Sequence, residues 1–384
     1  MLEPLYGKTI ERKKEITTFF NELQNSIDTS KIRKDYTEYI FTKDKQDKVF
    51  AAIDGSFNKT KFMAYFVYAI DSQTIISSPT EGMLKESATC DINIISTIRS
   101  KNMDSLLSQH MNILELKSTI DTLQKHEEID YMLMDGSIRG TLMNFKTNYE
   151  LDSDITRTLK DYSRELKKSI ENKDFPLEVT TITKKSEILL KVREVIEEKK
   201  LEIAIDEIEF DVLRYFEGLE QLTCITHLLN HYKNKIICIS KTSSTKDFFN
   251  EKIPDAAAIE YSCKKPGLSN LVPKENNKMV RYDSIGQKFL IEYPINSSEL
   301  TDITYTVFFT RLDNHSNVLK IEIPRTITHE KAIPLLEEIY STCIDGYPYI
   351  LKKAHNEVLI TNEDMKDIIR KLEIFEKTGR DMLN

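Results

Sequence analysis

The stretch DYMLMDGSIRG, residues 130–140, decides how this sequence is interpreted. Its apolar run, which begins at Tyr131, is typical of a strand buried on both faces of a sheet, and it ends at Asp135. The same ending occurs earlier, where KVFAAIDGSF, residues 48–57, leads an apolar run into Asp54. Asp, Gly and Ser are turn residues, so a single ending of this kind indicates a turn. Two of them, about 80 residues apart, support a second hypothesis, in which two strands deliver two carboxylates to one place.

The composition is that of a globular protein. The chain has 384 residues, of which 40% are hydrophobic and 30% charged, enough for one large domain or two. No apolar stretch approaches the length of a membrane span, and the N-terminus lacks the apolar region of a secretion signal. The five scattered cysteines indicate reduced thiols in a cytoplasmic protein. The net charge of −8 argues against a protein that coats nucleic acid, but it allows an enzyme that gathers carboxylates around metal ions.

The hydrophobic pattern predicts an α/β or α+β sheet with helical cover. Strands are predicted at 48–53, 62–71, 129–135, 236–240 and in three segments between 288 and 323, with a further short one at 75–76. Helices are predicted over 8–40, about 92–125, 206–232, 331–342 and 363–382. The middle of the chain, about 141–232, mixes basic and acidic residues in the way that is typical of solvated helix faces.

Carboxylates at strand ends are the strongest chemical signal. Metal-assisted phosphodiester hydrolysis needs several carboxylates held rigidly around one or two hard cations, and Asp54 and Asp135 meet that need if their strands are neighbours. A third candidate is Glu115, which a helical wheel places roughly opposite the apolar stripe of its helix. Glu115 is therefore either an ordinary exposed glutamate or a group that projects into a cleft beside the two strand ends.

Other candidates carry weaker signals. His355 is a lone histidine in the apolar-patterned segment 346–361, where a packed or surface histidine is commoner than a metal ligand or a phosphate-contacting acid. Lys241 follows a strand and precedes three hydroxyl residues, so it is a candidate phosphate contact, although the glycines of a P-loop are missing. Cys224, His227 and His231 fall on one helix face, but a zinc site needs further ligands that the sequence does not offer.

Six segments, taken in order, resemble the NurA nucleases over roughly residues 48–362: AAIDGSF, ILELKSTI, YMLMDGSIRG, IICISKTS, FFTRLDNHSNVLKIEIP and GYPYILKKAHNEVLIT. The resemblance implies an RNase H-like core, akin to the PIWI domain, in which a mixed sheet is flanked by helices. We expect a single domain over 1–384, with an N-terminal helical segment at 1–45, a largely helical charged insertion at 141–232 and a C-terminal helix at 363–384.

The resemblance also implies an activity. Members of that family are manganese-dependent DNA nucleases, typically 5′-to-3′ exonucleases on single- and double-stranded DNA and endonucleases on single strands. They form homodimers and work in DNA end processing with the HerA hexameric ATPase. The family's catalytic and metal-binding positions match Asp54, Glu115, Asp135 and His355. Its further matches, at Lys241 and Arg311, are expected to contact substrate phosphates, and Mg²⁺ is a possible substitute for Mn²⁺.

Two other functions remain open at this stage. One is a non-catalytic partner subunit that uses an RNase H-like fold to dock on a hexameric ATPase. The other is a metal hydrolase directed at RNA or at a substrate other than nucleic acid, although no group that would recognise a ribose 2′-hydroxyl is identifiable.

Overall fold

The computed structural model describes residues 3–43, 47–96, 103–143, 149, 151–246, 248–275, 280–282, 288–290, 300 and 303–376. The helices are α1 Glu3–Asn25, α2 Thr29–Lys34, α3 Met103–Lys125, α4 Ile138–Met143, α5 Ser153–Glu171, α6 Thr180–Thr183, α7 Lys185–Lys199, α8 Ile205–Tyr232, α9 Asp255–Ser262, α10 His329–Ser341, α11 Tyr349–Val358 and α12 Asn362–Lys371. None of these helices is long and apolar enough to cross a membrane.

The strands are β1 Tyr36–Glu38, β2 Phe50–Lys61, β3 Tyr65–Ser78, β4 Gly82–Ser96, β5 Tyr131–Asp135, β6 Ile236–Ser240, β7 Gly267–Ser269, β8 Val272–Glu275, β9 Val280–Tyr282, β10 Lys288–Leu290, β11 Thr304–Arg311, β12 Leu319–Ile323, β13 Cys343–Ile344 and β14 Tyr347–Pro348. Ten of them form one sheet in the described part of the chain, in the order β1-β7-β11-β12-β6-β5-β2-β3-β4, with β8 also paired to β11. The predicted fold class, a mixed sheet flanked by helices, is confirmed.

Two parallel pairings lie at the centre of this sheet. Strand β5 runs parallel to both β2 and β6, whereas the other neighbours in the sheet are antiparallel. Met132 and Leu133 of β5 are fully buried because helices cover both faces of the sheet here. The apolar run of β5 was predictable for the same reason, since a strand covered on both faces has no polar side to alternate with.

Helix α8 packs against α3 through buried charges. The Lys117 Nζ atom lies 2.7 Å from Glu220 Oε1, and both side chains are fully buried. Nearby, His110 Nε2 lies 2.8 Å from Glu217 Oε1. The charged pattern of 141–232 predicts solvated helix faces, but α8 is buried on almost all sides along its second half because α3, α5, α6 and α7 surround it. These ion pairs fix how α8 lies against α3, since a charge left unpaired in this position would cost several kcal/mol.

Four element boundaries differ from the sequence-based prediction. Strand β2 continues to Lys61 because β3 pairs with it residue by residue, and β3 itself merges the predicted strands at 62–71 and 75–76. Residues 92–96 belong to β4 and not to the following helix, and Tyr36–Glu38 forms an edge strand where helix was expected. In each case pairing with a neighbouring strand overrides the local pattern: β2, β3 and β4 pair as consecutive hairpins, and β1 pairs with the distant β7. The predicted C-terminal helix is described as α12, and 377–384 lie outside the described residues.

Candidate active site

The register of the parallel strands brings two predicted acids together. Ile53 of β2 lies opposite Met134 of β5, so the next residue on each strand is an aspartate, Asp54 on β2 and Asp135 on β5. Asp135 ends its strand as predicted, but Asp54 lies within β2, so the expectation that both aspartates stand at strand ends is wrong for Asp54. Strand β2 therefore continues on both sides of Asp54 along the chain. This holds the Asp54 carboxylate more rigidly than a turn would.

Glu115 reaches the same place from helix α3. It is only 9% exposed, so the surface-glutamate interpretation is wrong, and it projects into a cavity that Asp54 and Asp135 also line. The cavity has a volume of about 410 Å³. Three carboxylates from β2, α3 and β5 thus face one space, although 81 positions separate the first from the last in sequence (54 to 135).

Gly55 permits this approach. A Cβ atom at position 55 would lie 2.7 Å from the Cγ atom of Met111 and 2.8 Å from the Oε1 atom of Glu115. Both distances are shorter than real Cβ contacts, so any side chain at this position would force the Met111 and Glu115 side chains to move. The glycine of the first Asp-Gly-Ser segment therefore makes room for the glutamate carboxylate and does not form a turn.

Two basic side chains pair with the aspartates. His355, on α11, places Nδ1 2.7 Å from Asp54 Oδ2. Lys241, just after β6, places Nζ 2.9 Å from Asp135 Oδ2 and 4.7 Å from the centre of the Tyr347 ring. The His355 side chain is half exposed and that of Lys241 is 39% exposed, so the site is open to solvent on this side.

The electrostatics of the site show that the carboxylates repel one another. Burial raises the pKa of Glu115 to about 8, and the charges of Asp54 and Asp135 add to the rise. Burial also raises the pKa of Asp54, and the charge of Asp135 adds to this, while the hydrogen bond with His355 acts in the opposite direction. A cluster of carboxylates with raised pKa values is typical of a functional site, because stability alone would not favour it.

A hard divalent cation fits this set of donors. Carboxylate oxygens with an additional imidazole suit Mn²⁺ or Mg²⁺, and a cation would relieve the repulsion that raises the Glu115 pKa. Among the described residues, no three Asp, Glu, His or Cys side chains are already gathered closely enough to hold an ion. In this arrangement Asp54 and Asp135 are paired with His355 and Lys241 instead.

Comparison with known proteins decides the family. The model of the NurA domain matches residues 48–360, more than half of the chain. The chain belongs to the NurA family. The resemblance noted from the sequence is confirmed, because the match contains both Asp-Gly-Ser segments and His355.

Relatives and solved structures agree with this assignment. A protein named probable DNA double-strand break repair nuclease NurA, from Methanocaldococcus jannaschii, is 26% identical over 348 residues, covering 88% of this chain and 82% of that protein. A DNA double-strand break repair nuclease NurA from Saccharolobus solfataricus is 25% identical over 374 residues, covering 96% and 95%. The crystal structure of the NurA nuclease from Sulfolobus solfataricus matches with a TM-score of 0.69 and 24% identity over 97% of each chain. A structure of NurA bound to dAMP and manganese matches with a TM-score of 0.67 and 18% identity, over 98% of this chain and 99% of that one.

The second Asp-Gly-Ser segment of this NurA chain is a true turn, and it is tightly anchored. Gly136 has a φ of +115°, a conformation that favours glycine. The Ser137 hydroxyl donates to Glu322 Oε2 at 2.6 Å, and the Arg139 amide donates to Glu322 Oε1 at 2.8 Å. The buried carboxylate of Glu322 therefore satisfies the N-terminus of α4 and fixes the segment that follows Asp135.

Arg311 does not have the predicted role. Its side chain is only 1% exposed, its Nη2 atom lies 2.9 Å from Glu260 Oε2, and its guanidinium donates to the carbonyl oxygens of Cys263 and Ser316. A guanidinium that is buried with these partners is not offered to a phosphate, and Arg311 is absent from the described residues that line the cavity.

The sequence-based analysis missed several residues at the site. Asn112 and Gln221 line the cavity, and Tyr347 lies close enough to Asp135 and Asp54 for their charges to raise its pKa, although burial is the larger cause. Asn112 stands three residues before Glu115 on one helix face, so helical spacing alone identifies it as a neighbour. Gln221 comes from the distant helix α8, and nothing in the local pattern indicates its position.

Proposed function

We propose that this NurA chain is a Mn²⁺-dependent deoxyribonuclease that acts in DNA end processing. The observation that carries the proposal is the convergence of Asp54, Glu115 and Asp135 on one cavity from three separate elements. A buried group of like charges costs stability, so it needs a functional explanation, and divalent-ion catalysis of phosphodiester hydrolysis supplies one. The names of the relatives, DNA double-strand break repair nucleases, support the substrate.

The three carboxylates and His355 are the residues that would hold the ion. When bound, the ion supplies Lewis-acid stabilisation of the phosphate and lowers the pKa of water. Asp54 and Asp135 would then exchange their present partners, His355 and Lys241, for the cation.

That exchange releases two basic groups, His355 and Lys241, from the aspartates. The Lys241 ammonium moves from Asp135 toward the phosphate, where it binds negative charge. The imidazole of His355 stays at the solvent-open side of the site, where it can hold a proton for the departing oxygen or complete the ion's ligand set.

Finer aspects of the proposal rest on the family. We propose 5′-to-3′ exonuclease action on single- and double-stranded DNA, endonuclease action on single strands, a homodimer, cytoplasmic localisation and partnership with a HerA-type hexameric ATPase. We also retain the proposed organisation of one domain over 1–384, with segments at 1–45, 141–232 and 363–384.

One assay distinguishes the proposed nuclease from the alternative, a non-catalytic subunit that docks on a hexameric ATPase. Purified protein is incubated with end-labelled single- and double-stranded DNA, and with RNA, in Mn²⁺ or EDTA. We expect Mn²⁺-dependent degradation of DNA that Asp54→Ala lowers by roughly 10³-fold or more, because one metal carboxylate supplies several kcal/mol in the transition state. Asp71→Ala is the matched control, since Asp71 is a half-buried strand aspartate outside the residues that line the cavity. Equal cleavage by wild type and Asp54→Ala would reject the proposal, and no cleavage by either would favour the docking subunit.

A further inference from the structure

A chain of side-chain amides runs from α8 to the carboxylate of Glu115. The Gln109 Nε2 atom donates to Gln221 Oε1 at 3.3 Å, and Gln221 Nε2 donates to Asn112 Oδ1 at 2.6 Å. Asn112 Nδ2 then donates to Glu115 Oε2 at 3.2 Å. Each amide in this network donates toward the carboxylate, which is the acceptor at the end of the chain.

The chain is built into the cavity wall. Gln109, Asn112, Glu115 and Gln221 all line the cavity, and Gln221 is only 5% exposed. A buried amide that loses its hydrogen-bond partner still bears the free-energy cost of its burial. Each side chain in the network is therefore held in the orientation that keeps its hydrogen bond to the next. Gln221 is the one member that lies on α8, so it links the helical insertion to the ligand set on α3 and the sheet.

The side of Glu115 that faces β2 is restricted in a different way. Its Oε1 atom lies 2.8 Å from the position that a Cβ of residue 55 would take, so the absence of a side chain at Gly55 leaves room for it. Glu115 is thus confined by the backbone of β2 on one side and is held by a donated hydrogen bond on the other. A carboxylate restrained in this way has little rotamer freedom to lose when it binds a cation.

We propose that Gln221 and Asn112 are positioning residues that orient the Glu115 carboxylate toward the divalent ion. The proposal rests on the proposed function, since it assumes that Glu115 binds the ion. Through this chain, helix α8 of the 141–232 segment contributes to metal binding without supplying a ligand. Groups that hydrogen-bond to a metal ligand commonly contribute about 10- to 100-fold to metal affinity.

The test measures Mn²⁺ binding directly, by the loss of the free Mn²⁺ signal in electron paramagnetic resonance, alongside DNA cleavage over a range of Mn²⁺ concentrations. The variants are Gln221→Met and Asn112→Leu, which keep approximate volume and remove the donors. Gln124→Met is the matched control, because Gln124 also lies on α3 and donates to a neighbouring helix, at Ile170 O 2.8 Å, but it is outside the residues that line the cavity. Circular dichroism and thermal unfolding confirm that each variant folds.

We expect Gln221→Met and Asn112→Leu to weaken Mn²⁺ binding roughly 10-fold or more, while Gln124→Met leaves it unchanged. At saturating Mn²⁺ the cleavage rate of Gln221→Met should recover most of the wild-type value, because the ligand itself is intact. The double variant should lose less than the product of the two single effects, since both act through one hydrogen-bonded chain.

The outcomes separate this inference from the proposed function. Wild-type protein that binds no Mn²⁺ would reject the metal site itself. Wild-type binding that Gln221→Met and Asn112→Leu leave unchanged would reject the positioning role alone. A loss of affinity that Gln124→Met reproduces would also reject it, because the effect would then follow from weaker helix packing.

Discussion

The Nδ1 atom of His355 lies 2.7 Å from the Oδ2 atom of Asp54, although the two residues are 301 positions apart in the chain. A second contact secures the segment after the histidine's helix, since the amide of Ile360 donates to the Ser56 hydroxyl at 3.2 Å. Strand β2 therefore positions both an acid and the base that faces it. In this arrangement Nδ1 is committed to the carboxylate; when the ion takes Asp54, the imidazole is released to exchange a proton with substrate.

The first prediction concerns His355. If its imidazole protonates the departing oxygen, His355→Gln should lower the rate of DNA cleavage at saturating Mn²⁺ by about 10²-fold. Cleavage of thymidine 5′-(4-nitrophenyl) phosphate should fall much less, because nitrophenolate leaves without a proton. His126→Gln is the control, since His126 pairs with Glu86 and Glu128 at another place. Equal losses on both substrates would indicate that His355 serves the ion or the fold instead.

Gly55 gives a steric prediction. Gly55→Ala should lower Mn²⁺-dependent cleavage at least about 10-fold and should cost roughly 1–3 kcal/mol of folding free energy, because the new Cβ overlaps Met111 and the Glu115 carboxylate. Gly7→Ala is the matched control, since no atom lies within 4 Å of a Cβ at that position. Cleavage rate and chemical denaturation are measured on both variants, and full activity of Gly55→Ala would contradict the close packing of α3 on β2.

Glu115 gives a prediction in which the effect on stability depends on Mn²⁺. Burial and the charges of Asp54 and Asp135 raise the pKa of Glu115 to about 8, so its carboxylate is costly to ionise, and in EDTA Glu115→Gln should be at least as stable as the wild type, with its largest gain above pH 8. With Mn²⁺ present the wild type should gain stability and the variant should gain little, because binding to the folded state stabilises it in proportion to affinity. Thermal unfolding with and without Mn²⁺ measures both effects. A large loss of stability in EDTA would show that the Glu115 carboxylate holds the fold together.

The sequence predicted much of this site and missed specific parts for physical reasons. The runs before Asp54 and Asp135 are apolar because their strands are covered on both faces, which the sequence records directly. That the two aspartates are neighbours depends on the β2–β5 register, which no local pattern encodes. Arg311 was misjudged because a strand arginine looks available for phosphate until Glu260, on a helix 51 positions earlier (311 − 260), is seen beside it.

Glu115 shows a different limit. A helical wheel places a residue relative to its own helix, and it placed Glu115 correctly on the side away from the apolar stripe. Whether that side meets solvent depends on other elements, and here β2 and α8 close over it. The prediction of a solvated face was wrong for helix α8 for the same reason. Polar residues such as Glu217 and Glu220 are typical of a solvated face unless their buried partners on α3 are known.

His227 predicts a pH dependence of stability. Burial lowers the pKa of its imidazole to about 4, with help from the charges of His231 and of Lys167 on α5, and neither ring nitrogen has a hydrogen-bond partner among the described residues. The unfolded chain binds this proton near pH 6.5 while the folded chain does not, so the free energy of unfolding should fall as pH drops from about 6.5 to about 4. Each pKa unit corresponds to about 1.4 kcal/mol, so lowering the pKa from 6.5 to about 4 corresponds to a loss of roughly 3 kcal/mol by pH 4.

His227→Leu tests that dependence, because it keeps an apolar side chain at the buried position and removes the titrating group. Denaturant unfolding of the variant between pH 4 and 6.5 should show a flatter dependence than the wild type. His329→Leu is the control, since His329 is an exposed histidine on a different helix, α10. An unchanged slope in His227→Leu would assign the acid sensitivity to other groups.

Lys241 gives the prediction that most directly separates metal binding from substrate binding. Its ammonium is paired with Asp135, so it competes with any cation for that carboxylate. Lys241→Met should therefore tighten Mn²⁺ binding by roughly 2- to 5-fold, which is the factor in affinity that corresponds to the free energy of a partly exposed ion pair. The same change should lower kcat/KM for DNA about 10-fold, because the phosphate loses a positive partner beside Asp135. Lys241→Arg should retain part of the wild-type kcat/KM for DNA. The control is Lys265→Met, which removes an exposed lysine paired with Glu38 and should change neither Mn²⁺ affinity nor kcat/KM. If Mn²⁺ binding weakens together with DNA cleavage in Lys241→Met, the lysine supports the ligand set and does not exchange with the ion.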